Sequence, residues 1–80
     1  MQASVEISMY PLTKDYETPI LDFIKRMNTY EGLKIETNKL STQVFGDYDQ
    51  IMAALQQEMK TSFEQDSTVI MVMKVLNVSP

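Results

Sequence analysis

LKIETNKLSTQVFGDYD, running from Leu33 to Asp49, decides how this chain is read. Leu33, Ile35 and Thr37 alternate with Lys34, Glu36 and Asn38, the period of two that marks a half-buried strand. Asn38 to Ser41 carries turn chemistry, because short polar side chains there bond their own backbone. Thr42 to Phe45 returns as a second strand, and Gly46 ends it. Asp47 then caps a helix, with Gln50 three residues on to close a capping box. A hairpin therefore sits mid-chain and hands over directly to a helix.

Working outward, Val5 to Leu12 is a strand with Val5, Ile7 and Met9 on one face and Glu6, Ser8 and Tyr10 on the other. Pro11 is expected to stop its ladder, having no donor. After the polar loop Thr13 to Glu17, Thr18 is expected to cap a first helix with Pro19 at its first position. Ile20, Phe23, Ile24 and Met27 form its apolar side, opposite Asp22, Lys25, Arg26 and Asn28. Glu31-Gly32 ends it. The second helix runs from about Tyr48 to about Glu64. Its stripe is Ile51, Met52, Leu55 and Met59, extended by Tyr48 and Phe63, and Gln56, Gln57, Glu58 and Lys60 are expected to face water. Gln65-Asp66-Ser67 is a turn, and Thr68 to Val78 a last strand that is apolar on both faces.

The order β-α-β-β-α-β predicts an α+β, ferredoxin-like domain over residues 1–80. Both helices cover one face of a four-stranded antiparallel sheet, with the first and third strands central. The covered face takes Val5, Ile7, Met9, Leu33, Ile35, Val44, Met71 and Met73. The bare face shows Tyr10, Phe45, Ile70, Val72 and Leu76 among Glu6, Ser8, Lys34, Glu36, Asn38 and Gln43. Each large apolar side chain left in water forgoes about 1.5–3 kcal/mol. Such a patch marks an interface or a ligand groove, and the long last strand is an open edge. Self-association into a dimer or tetramer is the expected remedy, because a chain of 80 residues without cysteine is marginal alone.

Composition narrows the chemistry. The chain has no His and no Cys, which removes the usual general base, thiolate metal sites and disulfides. Its net charge is −4, so phosphate backbones are poor partners and a cationic ligand fits better. No apolar run approaches the roughly 20 residues of a membrane span, and MQASVEISMY lacks the flanks of a secretory signal. The expectation is a cytoplasmic protein that binds neither nucleic acid nor membrane.

VEISMYPL, a helix, and then TNKLSTQVFGDYDQIM together resemble the YkoF-like thiamine-binding proteins over nearly the whole chain. The sharpest part is the polar turn, Thr42, the short strand and Gly46-Asp47-Tyr48-Asp49. The chain departs from the family at Phe45, where some relatives carry an acid, and it ends soon after the last strand, where longer members continue. The resemblance implies a ferredoxin-like fold that joins edge strands and stacks sheets into dimers or tetramers. It also implies non-catalytic binding of thiamine or a related hydroxymethylpyrimidine near the open face and the subunit contacts, with no further cofactor.

Each candidate residue has two readings. Glu6 bonds an aminopyrimidine nitrogen or faces a thiazolium cation, or it pairs with Lys34 or Lys74. Tyr10 and Phe45 sandwich a flat cation, worth about 0.5–2 kcal/mol, or they pack a subunit contact. Ser8, Asn38, Ser41, Thr42 and Gln43 offer donors and acceptors to a ligand, or Asn38, Ser41 and Thr42 serve the turn. Glu36 is a groove residue or a solvated edge charge, and Asp47 and Asp49 favour the helix dipole rather than a metal. The seven Met residues sit mostly at core spacing.

Other functions fit less well. An acylphosphatase-like enzyme needs an Arg in the loop after the first strand, and Thr13 to Glu17 offers only Lys14. A regulatory or assembly module with an amino-acid effector expects a Gly-rich first loop, absent from PLTKDYETP. An RNA-recognition module needs aromatics within a basic surface, and this chain is acidic.

Overall fold

The computed structural model, which describes residues 1–65 and 67–78, places six elements in order. They are β1 (Gln2–Pro11), α1 (Glu17–Met27), β2 (Lys34–Thr37), β3 (Thr42–Asp47), α2 (Tyr48–Phe63) and β4 (Val69–Leu76). The strands form one antiparallel sheet in the order β2-β3-β1-β4, the expected ferredoxin-like arrangement. Asp66 of the expected turn, and Ser79 and Pro80 of the expected domain, lie outside the described residues.

Alternation builds the core. Ala3, Val5 and Ile7 of β1 and Val44 of β3 point at the helix layer and are buried. There they meet Phe23 and Met27 of α1 and Ile51, Ala54 and Leu55 of α2. Among the described residues no helix lies over the opposite face of the sheet. On β4 even the helix-side positions Met73 and Val75 are exposed, at 38% and 52%. A groove of about 480 Å³ between α2 and β4, lined by Met52, Met59, Phe63 and Met73, opens there.

Several local expectations are corrected. Pro11 does not stop β1: it pairs with Val69, and the Leu12 N–H donates to the Thr68 carbonyl at 2.8 Å. Its missing donor lies on the side away from β4, where β3 has already ended at the Ile7–Thr42 pair. Thr18 does not cap α1, which starts at Glu17; instead Asp15 Oδ1 accepts from Thr18 Oγ1 at 3.0 Å and from the Thr18 N–H at 3.4 Å. A carboxylate is the stronger acceptor, so it takes the first-turn donors. Asp47 does cap α2, accepting from the Gln50 N–H at 3.2 Å, while the Gln50 side chain lies against Gly32. Gly46 lies inside β3, opposite Ala3, at φ 155°.

The largest correction is Glu58, which is 8% exposed rather than solvated. Ala54, Glu58 and Ser62 recur every four residues along the flank of α2 that meets α1, so the first helix, not only the sheet, covers them. Glu58 Oε1 accepts from Arg26 Nε at 2.7 Å and Oε2 from the Tyr30 hydroxyl at 2.6 Å. Arg26 also donates to the Ser62 hydroxyl at 2.7 Å and to the Glu58 carbonyl at 3.2 Å. A buried charge needs such saturation. The hydrogen bond to Glu58, then burial and the Glu58 charge, raise the Tyr30 pKa; the Arg26 charge opposes them.

Candidate functional site

The open face has a polar row across all four strands. In register it reads Glu36, Gln43, Glu6 and Lys74, from β2, β3, β1 and β4. Glu6 stands at its centre because β1 is a central strand and position 6 faces away from the helices. Its Oε2 accepts from Ser41 Oγ at 2.9 Å, and Ser41 accepts from Gln43 Nε2 at 3.2 Å. Lys74 Nζ lies 3.7 Å from the other carboxylate oxygen, with its side chain 81% exposed. An ion pair so open to water contributes at most about 1 kcal/mol, so a better cation can take its place.

Two clefts lie near this row, one over it and one beyond Ser41. The first, about 440 Å³, lies over the sheet and is lined by Ser4, Glu6, Gln43, Phe45, Lys74 and Leu76. Val78 closes one end, its carbonyl accepting from Ser4 Oγ. The second, about 280 Å³, lies where β3 has stopped. There the end of β1, the hairpin turn, α1 and Tyr16 surround a gap. Ser41 lines this second cleft and donates to Glu6, which lines the first, so one hydrogen bond links the two.

The structure divides the eight candidate residues. Glu6, Gln43 and Phe45 line the first cleft; Ser8, Tyr10, Asn38, Ser41 and Thr42 line the second. Tyr10 and Phe45 cannot sandwich one ring. Phe45 is opposite Ser4, six residues from Tyr10 along β1, or about 20 Å at the rise of a strand. Thr42 is buried at 7% exposure on the helix side, with its Oγ1 3.3 Å from that of Thr37. The alternation that places Gln43 outward necessarily turns Thr42 inward. Asn38 Oδ1 accepts from the Leu40 and Ser41 N–H groups at 2.8 and 3.1 Å, so its oxygen is committed to the turn. Glu36 is exposed and pairs with Lys34 at 3.3 Å.

Tyr16, 54% exposed, lines the second cleft and was not anticipated. The available signal was an aromatic residue in an otherwise polar loop just before a helix start. Among the described residues no three acidic side chains are grouped to hold a metal ion. No helix among them is long and apolar enough to cross a membrane.

Comparison with known proteins gives a consistent result. The model of the YKOF-related Family matches residues 2–80. A protein from Streptococcus pneumoniae shares the fold with a TM-score of 0.88 and 22% identity, covering 100% of this chain and 89% of its own. A hypothetical protein from Methanocaldococcus jannascii superposes with a TM-score of 0.82 and 25% identity, over 98% of this chain and 81% of that one. A protein from Thermotoga maritima, described as a candidate for thiamine biosynthesis or salvage, has a TM-score of 0.82 and 18% identity, over 94% of this chain and 82% of that one. No curated protein matches the sequence.

Proposed function

We propose that this chain, which belongs to the YKOF-related family, binds thiamine or a related hydroxymethylpyrimidine without chemistry, as a carrier or sensor. The observation that carries the reading is Glu6. It is a carboxylate at the centre of the uncovered face, tied to a neutral hydroxyl and to an exposed, easily displaced lysine. A thiazolium ring beside it would give the carboxylate a counter-charge that the exposed Lys74 supplies only weakly in water. The overall charge of −4 favours a cationic ligand in the same direction. The description of the Thermotoga maritima neighbour supports the ligand class.

Neighbouring copies complete the site on this reading. Ile70, Val72 and Leu76 of β4 are 47%, 53% and 50% exposed on the open face. β4 is also an edge, so pairing with a second copy satisfies its backbone and covers its side chains.

Calorimetric titration with thiamine tests the proposal. Saturable heat, with a thermal shift, is expected; neither at millimolar thiamine removes the reading. A second reading rests on the adjacent charges of Glu6 and Lys74, which match the ammonium and carboxylate of a free amino acid. Heat from an amino acid and none from thiamine selects it, and makes the chain a regulatory or assembly module.

A further inference from the structure

The end of β1 offers a pair of backbone groups with no strand beside them. In an antiparallel ladder a residue's N–H and C=O point to the same neighbour, and successive residues alternate between neighbours. The Leu12 N–H donates to the Thr68 carbonyl, so even positions of β1 face β4 and odd ones face β3. The Met1 carbonyl, which accepts from the Tyr48 N–H at 2.9 Å, obeys the same parity. Val5 and Ile7 have partners in Val44 and Thr42. Met9 is the next odd position, and continuing the register would set Leu40 opposite it. The Leu40 N–H instead donates to Asn38 Oδ1. The turn has curled away, and among the described residues nothing takes its place beside Met9. Pro11, the odd position after that, has no donor to leave stranded.

This gap is the second cleft, about 280 Å³, with Tyr10 and Tyr16 in its wall. We propose that the Met9 peptide N–H and C=O, freed where β3 stops, read the aminopyrimidine edge of the ligand, with Tyr16 walling the ring. The inference rests on the thiamine reading above and assigns its pyrimidine half to a place. A ring nitrogen beside an exocyclic amino group is an acceptor next to a donor, the complement of one residue's N–H and C=O. A missing strand is thus replaced by a flat heterocycle with the same pattern. Glu6 lies three residues away, about 10 Å along the strand, and reaches toward the cleft through Ser41. That leaves it placed for the cationic half of the same molecule.

The test is a titration of the 15N-labelled chain with thiamine and with its 4-oxo analogue. In the analogue the amino donor becomes an acceptor and the adjacent ring acceptor becomes an N–H donor. The Met9 amide resonance is expected to shift on binding thiamine and to gain protection from hydrogen exchange. The analogue should bind about tenfold more weakly, the scale of one mismatched hydrogen bond. Tyr16→Ala, at an exposed position that leaves the core intact, should weaken thiamine about fivefold, and Phe45→Ala less than about twofold, on the scale of a lost aromatic contact. If thiamine binds while the Met9 amide is unmoved and only Phe45→Ala weakens it, this inference falls and thiamine binding stands. Equal affinity for thiamine and its 4-oxo analogue also overturns it. Absence of any thiamine binding overturns both.

Discussion

The Tyr30 hydroxyl donates to Glu58 Oε2 at 2.6 Å and so ties the turn after the first helix to the flank of the second. Loss of that donor in Tyr30→Phe leaves a buried carboxylate oxygen short of a partner. The expected cost is about 1–3 kcal/mol near neutral pH, read by urea unfolding. The same bond raises the Tyr30 pKa above its unfolded value, which is near 10. A raised pKa contributes stability that is fully present below the unfolded value and is lost as pH rises through the folded one. The gap between wild type and Tyr30→Phe should therefore shrink above about pH 10. A gap that stays constant to pH 11 would show that the hydroxyl is not held this way.

Gly46 allows the third strand to pass close to the segment before the second. Its φ is 155°, and a Cβ there would lie 2.8 Å from Leu33 Cδ2 and 3.2 Å from the Gly32 carbonyl oxygen. Gly46→Ala meets both a disfavoured backbone and a backbone contact that cannot rotate away. A loss of about 1–3 kcal/mol is expected from thermal or urea unfolding. A loss under a few tenths would mean that the hairpin relaxes freely at this point.

Glu6→Gln keeps the shape and the hydrogen bond to Ser41 while removing the charge. It should weaken thiamine more than the neutral hydroxymethylpyrimidine, by about three- to tenfold for a partly exposed charge pair. Paired calorimetric titrations check this. Equal weakening of the two ligands would show that Glu6 does not sense the positive ring.

Val72→Lys places a charge on the outer face of the edge strand without touching the core, since Val72 is 53% exposed. Charged residues on an edge oppose strand pairing between copies. Sedimentation equilibrium should find the wild type as a dimer or larger and the variant shifted toward monomer. A wild type that stays monomeric at hundreds of micromolar would remove the assembly part of the proposed function.

The legibility of this chain followed the range of each interaction. Alternation in β1 and in the hairpin named the covered and bare faces, because side-chain direction in a strand depends on nearest neighbours alone. Asp47 was readable as a cap for the same reason. Glu58 was misread because its burial comes from the first helix and the turn after it, 28 to 32 residues earlier in sequence, through Arg26 and Tyr30. Of the candidate residues, parity was enough to place Glu6, Ser8, Tyr10, Gln43 and Phe45 on the open face, and parity also turns Thr42 inward. Tyr16 carried no periodic signal at all, being in a loop.

Sequence alone determined the element order, the two-faced sheet and an acidic chain without His or Cys. These depend on local pattern and composition, which need no knowledge of distant contacts. Tertiary structure alone decided that the candidate residues fall in two clefts, one over the bare face and one at the end of the third strand beside the first helix, that Tyr10 and Phe45 stand apart, and that Met9 faces a gap. Those outcomes depend on where the third strand stops along the first, and that register is set by packing between segments more than 30 residues apart.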